Sequence, residues 1–353
     1  MKVAILAEGQ FARATAKTAI GVLRYAPFDV VAVVDSTRAG KDAAEYVGFG
    51  AGVPVVASVE DALARGATVL LIGTAAAGGR IPDGYRPALA RALDRGVEVW
   101  NGLHERVLAD PELAAAAERG HAKVRELREP PADLPIGGHR DRREGARVAL
   151  TVGSDAAVGK MTVSLEIAAA LRRAGERVEF VATGQTGIAI AGSGIAVDAV
   201  VADFIAGAAE LIVCDAAERA DWVIVEGQGS LTHPGFSGVT LGLLHGTAPD
   251  VMVLCHDAMR QNVKGYDARL PLRPLREYVR IYEDAAAWRR PPGYPPARVV
   301  AVALNTSELS EKRAQDAIAS AAADTGLPAA DPVREGAVGG DRIASALREG
   351  VPA

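Results

Sequence analysis

The chain has 353 residues, 49% of them hydrophobic and 24% charged, so it is too apolar for a disordered protein and long enough for two domains. Its net charge of -5 argues against a general affinity for nucleic acid or for anionic membranes, and a small molecule is the expected partner. No apolar run is long enough for a membrane-spanning helix and no secretory signal begins the chain, which predicts a cytoplasmic protein.

The first part of the chain predicts a parallel α/β domain. Short apolar runs rich in β-branched residues alternate there with alanine-rich helical stretches, as expected of a Rossmann-like fold. The predicted strands are residues 2–7, 29–35, 53–56, 68–73 and 97–100. We therefore assign residues 1–124 to a Rossmann-like domain.

The first turn of this domain departs from the dinucleotide-binding fingerprint. Asp35 ends the second predicted strand, where an acidic residue would hold a ribose hydroxyl. Only Gly9 of the Gly-x-Gly-x-x-Gly pattern is present, however, and Phe11 and Ala12 stand where a pyrophosphate would require glycine. We therefore expect that this domain does not bind a redox nicotinamide. Its expected role is in packing, substrate contact or homo-oligomer formation.

A second α/β series follows a linker. Residues 125–147 are rich in charge, proline and glycine and have no apolar period, which is typical of a linker. Residues 148–353 then predict a P-loop NTPase-like α/β domain, in which continuous apolar strands are buried on both faces. Its predicted helix spans residues 160–174, and its predicted strands are residues 147–152, 178–183, 222–226, 250–256 and 298–304.

The strongest motif is a glycine loop between the first strand and the first helix of this second domain. Small residues let backbone N–H groups turn toward a phosphate, and the helix adds its positive amino-terminal end. Lys160 supplies a mobile cation. P-loop enzymes usually have the magnesium-binding hydroxyl on the residue directly after this lysine, but here that residue is Met161, and Thr162 follows it. The predicted phosphate-binding residues are Gly153, Ser154, Asp155, Ala156, Ala157, Val158, Gly159, Lys160, Met161 and Thr162.

Two further glycine turns follow predicted strands. Glu226 ends an apolar strand and precedes Gly227, which places a carboxylate at the carboxyl edge of the sheet beside the loop, where P-loop proteins hold magnesium. If ATP and magnesium are used, Thr162 and Glu226 are the expected metal ligands. Gln185 and Thr186 lie in the other turn and are candidates for hydrogen bonds to a substrate. Cys214 and Cys255 lie far apart in apolar surroundings and predict buried thiols.

The motifs resemble known families. The loop with its internal Asp155, the Val-Glu-Gly turn and the strand that ends at Asn305 look like the dethiobiotin synthetase branch of P-loop proteins, a likeness that implies that Asn305 reads an adenine edge. More closely, the chain resembles a bacterial family long catalogued as a domain of unknown function, some of whose members are described as D-glutamate N-acetyltransferases. The runs that carry this resemblance are residues 5–11, 101–104, 153–162, 180–187, 225–230, 239–246 and 253–256.

The second resemblance implies acetyl-CoA as the phosphate-bearing ligand and an acidic amino acid as the acceptor. Acyl transfer to an amine requires a base and stabilisation of the carbonyl oxygen, for which the candidate catalytic residues are Glu226, His256, Asp155 and Gln228. Arg260 and Lys264 are candidates for holding a substrate carboxylate. His233 is also a candidate base, although its loop context favours a shaping role, and His245 is expected to be structural.

Three functions remain open from the sequence. The first is an acetyl-CoA-dependent N-acetyltransferase acting on an acidic amino acid similar to D-glutamate. The second is an ATP- and magnesium-dependent ligase or kinase of dethiobiotin synthetase type. The third is a nucleotide-sensing regulator, because a P-loop indicates binding and not chemistry.

Overall fold

The chain folds into two compact units. The computed structural model describes residues 1–75, 77–288 and 295–351. One unit comprises Met1–Glu129 and Gln185–Ala196, and the other comprises Pro130–Gly184 and Val197–Ala353. Each unit has its own parallel sheet and its own core. Among the described residues, none of the helices has the length and apolar character needed to cross a bilayer.

The first unit is built on a six-stranded sheet in which all neighbouring strands are parallel, in the order β3-β2-β1-β4-β5-β6. This arrangement confirms the predicted Rossmann-like domain. Its strands are β1 Lys2–Leu6, β2 Asp29–Val34, β3 Val55–Val56, β4 Val69–Ile72, β5 Glu98–Asn101 and β6 Val124–Glu126.

Helices alternate with the strands of this sheet, and the starts of two of them are visible in the sequence. Asp42 and Glu45 form a capping box at the start of α2, and Asp110 caps α5 immediately before Pro111. The helices are α1 Lys17–Tyr25, α2 Ala43–Val47, α3 Val59–Ala64, α4 Arg86–Asp94 and α5 Pro111–Gly120.

The second unit also contains a six-stranded parallel sheet, in the order β12-β11-β10-β7-β9-β8. Its central strands are almost entirely buried, as their continuous apolar sequences predict, and the P-loop NTPase-like α/β fold is confirmed. The strands are β7 Arg147–Gly153, β8 Val178–Val181, β9 Trp222–Val225, β10 Val251–Asp257, β11 Arg298–Asn305 and β12 Ala329–Ala330.

Helices pack on both faces of this second sheet. The first of them, α6 Lys160–Arg173, begins directly after the glycine loop, as predicted. The later helices of the unit are α8 Ile205–Ala217, α9 Ser237–Thr247, α10 Leu275–Ala287, α11 Glu311–Thr325, α12 Pro332–Glu335 and α13 Ala337–Gly350.

Two segments differ from the sequence-based division of the chain. Strand β6 lies where the linker was expected to begin, and it has no apolar run because it is an edge strand with β5 as its neighbour. Helix α7, Gln185–Ala191, belongs to the first unit although the residues before and after this stretch belong to the second. The chain therefore passes from the second unit to the first at Gly184 and returns after Ala196.

Candidate active site

The glycine loop of the second unit presents unpaired backbone donors. It joins β7, which lies between β10 and β9 in the sheet, to the start of α6. Gly159 has a φ of +104°, a conformation that favours glycine, and no side chain caps the helix. The backbone N–H groups of residues 159–162 have no acceptor in the described part of the chain. This arrangement of donors suits an anion such as a phosphate.

Lys160 lies inside this loop and not on the surface. Its side chain is buried, and its Nζ donates to the carbonyl oxygens of Asp155 at 2.9 Å and Gly229 at 2.7 Å. Burial lowers the pKa of Lys160 to about 8, because the ammonium has lost most of its hydration. An anion bound at the loop would favour the charged form and raise this pKa again.

Glu226 follows β9 and is also buried, with 5% of its surface exposed. Its Oε2 accepts hydrogen bonds from the N–H groups of Thr183 at 3.1 Å and Gly184 at 3.2 Å. Burial raises the pKa of Glu226 to about 7, and these two hydrogen bonds and the Lys160 charge only partly oppose the effect. The carboxyl group is therefore able to accept or release a proton near neutral pH.

Gln228 stabilises the turn that contains Glu226. Its Nε2 donates to Oγ1 of Thr183 at 3.2 Å, and Oγ1 of Thr183 donates to the Glu226 carbonyl oxygen at 2.6 Å. A Cβ on Gly184 would lie 2.6 Å from Nε2 of Gln228, so a larger residue at that position would displace the Gln228 amide. The structure thus places Gln228 beside Glu226, in the same turn.

The Asp155 carboxylate organises the loop from within. Its side chain is fully buried, Oδ1 accepts from the Ala156 N–H at 2.7 Å, and Oδ2 accepts from the Lys264 N–H at 2.8 Å. Arg260 Nη1 donates to the same Oδ2 at 2.7 Å. Asp155 and Arg260 were expected to act on the substrate, but in this structure their charged groups pair with each other. Lys264 contributes through its main chain.

The histidines differ in their environments. His256 is the penultimate residue of β10, and its Nδ1 lies 2.8 Å from Oγ of Ser154 in the loop. Burial lowers the pKa of His256 to about 4, so the imidazole is neutral at pH 7. His233 accepts from the Gly235 N–H through Nδ1, and its Nε2 lies 3.2 Å from the Lys264 carbonyl oxygen. His233 therefore holds loop backbone with both ring nitrogens, which fits the expected shaping role.

The other predicted residues of this unit lie around the loop. Asn305 ends β11 next to Gly159, and its Oδ1 accepts from the N–H of Ser307 at 3.2 Å. Thr162 is half-buried in the first turn of α6. His245 Nε2 lies 3.2 Å from the Ala285 carbonyl oxygen, and this contact is consistent with a structural role.

Both cysteines of the chain lie in the interior of the protein. Cys214 and Cys255 are both buried free thiols, as predicted, and burial raises the pKa of Cys255 to about 12.

In the first unit, the buried Asp35 carboxylate accepts from the N–H of Phe11 at 3.1 Å and from the N–H of Thr37 at 3.0 Å. Asp35 thus stabilises this turn. The expectation that the turn carries no redox nicotinamide stays a prediction.

Gln185 and Thr186 do not belong to the unit that contains the P-loop. Oε1 of Gln185 accepts from Nη2 of Arg128 at 2.7 Å, and Oγ1 of Thr186 lies 2.9 Å from Oγ1 of Thr18. Both were expected at the edge of the second sheet, because they directly follow a predicted strand of that sheet. The chain leaves the second unit one residue earlier, at Gly184.

One residue that the sequence did not indicate is Tyr282, on α10. Its fully buried hydroxyl donates to the Gly153 carbonyl oxygen at 2.8 Å and accepts from the Leu231 N–H at 3.2 Å. It thus joins the start of the P-loop to the segment that follows Glu226. No local motif marks it, because 129 residues separate Tyr282 from Gly153.

Comparison with known proteins agrees with this architecture. Residues 36–130 match the family model described as the DUF1611_N Rossmann-like domain, and residues 135–342 match the DUF1611_C P-loop domain. A crystal structure of a DUF1611 family protein from Anabaena variabilis is similar, with a TM-score of 0.88 and 40% identity, and the match covers 99% of each chain.

Two similar sequences carry the name of an enzyme. The D-glutamate N-acetyltransferase of Tritonibacter scottomollicae is 36% identical over 326 residues, which are 91% of this chain and 92% of that protein. The D-glutamate N-acetyltransferase of a Pseudoalteromonas species is 36% identical over 280 residues, which are 79% of this chain and 82% of that protein.

Proposed function

This chain belongs to the DUF1611 family and is an enzyme of the transferase class, and we propose that it moves an acetyl group from acetyl-CoA to the amine of an acidic amino acid similar to D-glutamate. The observation that carries this proposal is Glu226. It is a buried carboxyl group with a pKa of about 7 in the same site as the P-loop, where a substrate ammonium needs a base.

The P-loop is proposed to hold the phosphates of CoA. The donors at the start of α6 and the ammonium of Lys160 suit a pyrophosphate, and CoA carries one. Asn305, at the neighbouring strand end, is proposed to contact the adenine. Met161 stands where an ATP-using enzyme presents its magnesium-binding hydroxyl, and acetyl transfer does not require that hydroxyl.

In the proposed reaction, Glu226 takes a proton from the substrate ammonium. The free amine attacks the acetyl carbonyl carbon, the carbon–sulfur bond breaks, and the nitrogen gives up its second proton to the departing thiolate, so that the products are the N-acetyl amino acid and CoA as its thiol. The carbonyl oxygen becomes negative during the attack and needs a hydrogen-bond donor. Gln228 is the proposed donor, because its side-chain amide has two N–H bonds and lies in the same turn as Glu226. His256 stays neutral and positions Ser154.

The proposal is tested by supplying the protein with acetyl-CoA and separate D- and L-forms of glutamate and aspartate. We expect release of free thiol together with an acetylated amino acid, detected by mass. Glu226→Gln is expected to lower kcat at least about a hundredfold, within the usual contribution of a general base. A parallel incubation with ATP and magnesium tests the alternative ligase or kinase. ADP release that depends on magnesium, without thiol release, would replace the proposal by that alternative.

A further inference from the structure

Thr183 contacts both of the residues to which the proposed reaction assigns chemistry. Its N–H donates to Oε2 of Glu226 at 3.1 Å, and its hydroxyl donates to the main-chain oxygen of Glu226 at 2.6 Å. The same hydroxyl oxygen accepts from Nε2 of Gln228 at 3.2 Å. Thr183 is fully buried, so water does not compete for these three hydrogen bonds. Thr183 therefore fixes the position of Gln228 relative to Glu226.

The two oxygens of the Glu226 carboxyl group are not equivalent. Oε2 accepts from the N–H groups of Thr183 and Gly184, whereas Oε1 has no donor in the part of the chain that the structure describes. Among the described residues, Nε1 of Trp222 is the one buried side-chain nitrogen or oxygen atom that lacks a hydrogen-bond partner. Oε1 of Glu226 is therefore still accessible, and it is the oxygen that can receive a proton from a bound ligand.

The side-chain amide of Gln228 has one fixed orientation and one unused donor. The Thr183 hydroxyl gives its only hydrogen to the Glu226 main-chain oxygen, which can only accept, so the hydroxyl must act as an acceptor toward Gln228. The nitrogen and not the oxygen of the amide therefore faces Thr183. Nε2 carries two N–H bonds, and the second of them is left for a ligand.

The amide nitrogen of Gln228 and Oε1 of Glu226 both lie next to Gly184. A Cβ at this position would be 2.6 Å from Nε2 of Gln228 and 3.4 Å from Oε1 of Glu226. The two atoms therefore border the same space, which is open because residue 184 has no side chain. A group placed there can contact a hydrogen-bond donor on one side and a proton acceptor on the other. Acyl transfer to an amine requires this pair of functions.

We propose that Thr183 is a positioning residue, which holds Gln228 and Glu226 so that the reacting groups meet in the space beside Gly184. Oε1 of Glu226 takes the proton of the substrate ammonium there, and the second N–H of Gln228 donates to the acetyl carbonyl oxygen. The proposal rests on the proposed function for the identity of the reacting groups. The arrangement of Thr183, Glu226 and Gln228 rests on their hydrogen bonds alone.

Thr183→Val removes the hydroxyl and keeps both the shape of the side chain and the N–H that donates to Glu226. The Gln228 amide then loses its acceptor, and we expect kcat for acetyl transfer to fall about tenfold to a hundredfold, as for a small misplacement of a catalytic group. The Kd for CoA should not change, and Thr183→Ser should recover most of kcat because it retains the hydroxyl. Thr247→Val is the matched control and should have the wild-type kcat. Thr247 is a buried threonine of α9 whose hydroxyl donates to the Leu244 carbonyl oxygen at 3.3 Å.

Two kinetic results separate positioning from a general loss of structure. In the wild type, kcat/KM should fall below about pH 7 as Glu226 becomes protonated. Thr183→Val should leave this limb in place, because the charges that act on Glu226 are those of Asp198 and Lys160 and the substitution changes neither. In a Gln228→Ala background, Thr183→Val should lower kcat less than about twofold, because no amide is left to position. If the effects of the two substitutions multiply instead, Thr183 does not act through Gln228 and the proposal is wrong.

Gly184→Ala tests the same arrangement if Thr183→Val does not fold. The φ of Gly184 is not positive, so alanine is compatible with its backbone. The added methyl group would fill the space beside residue 184 and displace the Gln228 amide, so kcat should fall while the Kd for CoA is retained. An unchanged kcat in this variant would mean that the reacting groups do not meet beside Gly184.

Nuclear magnetic resonance measures the arrangement without turnover. The chain has five glutamines, so selective nitrogen isotope labelling gives few side-chain amide signals, and Gln228→Ala identifies that of Gln228. We expect slow hydrogen exchange of this amide in the wild type and in Thr183→Ser, and faster exchange in Thr183→Val. Equal exchange in Thr183→Val and the wild type would refute the positioning role. If exchange responds as expected but no amino acid is acetylated, the proposed function fails and the positioning of Gln228 by Thr183 stands.

Discussion

Replacing Glu226 with glutamine should stabilise the second unit while it removes activity. Glutamine keeps an oxygen that accepts from the N–H groups of Thr183 and Gly184, but it carries no charge that must be buried. The pKa of Glu226 is raised from an ordinary 4.5 to about 7. At about 1.4 kcal/mol per pKa unit, this difference corresponds to about 3 kcal/mol that the buried charge costs the folded state.

The sign of the pH dependence follows from this raised pKa. Below pH 4.5 the carboxyl group is protonated in both the folded and the unfolded chain, and its burial has no ionisation cost. Between pH 4.5 and about 7 the unfolded chain releases the proton first, so the free energy of unfolding falls as the pH rises. Glu226→Gln should therefore gain about 3 kcal/mol at pH 8 and less than about 1 kcal/mol at pH 5.

Urea unfolding followed by tryptophan fluorescence measures this gain. The chain has three tryptophans, and Trp222 lies in β9 of the second unit, so a background of Trp100→Phe and Trp288→Phe makes the signal specific to that unit. Glu210→Gln is the matched control. Glu210 is a buried carboxylate of the same unit that accepts backbone N–H groups from residues 138–140, and its substitution should lower stability by weakening those bonds. A loss of stability in Glu226→Gln at pH 8, or an equal gain at both pH values, would refute the reasoning.

Three further predictions concern the P-loop. Lys160→Ala should raise the Kd for CoA at least about tenfold by calorimetry, and wild-type affinity should fall as the pH rises through about 8 while that of the variant does not, because Lys160 loses its charge there. Tyr282→Phe should lower the free energy of unfolding by about 1 to 3 kcal/mol in urea, because the buried Gly153 N–H and the Leu231 N–H lose their acceptor, and an unchanged value would contradict its bridging role. Acetyl transfer should survive excess EDTA, and Thr162→Val should cost less activity than Lys160→Ala. Abolition by EDTA with recovery on adding magnesium, accompanied by ADP release, would favour the ATP-dependent alternative.

The parts of the fold that the sequence predicted are those encoded locally. Each long strand is a continuous apolar run, and the glycine loop is contiguous with the strand and helix that flank it, so periodicity and spacing were sufficient. The missed strands, β6 and β12, are edge strands of three and two residues that have no need of an apolar run. Residues 185–196 follow a strand of the second unit, and nothing in their composition indicates that they pack in the first.

The roles of the candidate site residues stay predictions, but their positions in the structure divide along the same line. Lys160 and Glu226 stand in recognisable turns. The partners that determine their environment come from distant segments: Arg260 is 105 residues from Asp155, and Tyr282 is 129 residues from Gly153. Arg260 was expected to bind substrate because an arginine near a strand end fits that role, and only the tertiary structure shows its pairing with Asp155.

The pKa values of Lys160 and Glu226 have moved toward each other for one physical cause. Burial disfavours the charged form of each group, which lowers the pKa of the lysine to about 8 and raises that of the glutamate to about 7. In the proposed reaction the phosphates of CoA supply a counter-charge for Lys160. The substrate ammonium delivers a proton to Glu226 and so removes the charge of its carboxylate. Ligand binding therefore offsets the free energy that burial of these two charged groups costs the folded chain at neutral pH. The base, Glu226, already has a pKa that suits the reaction.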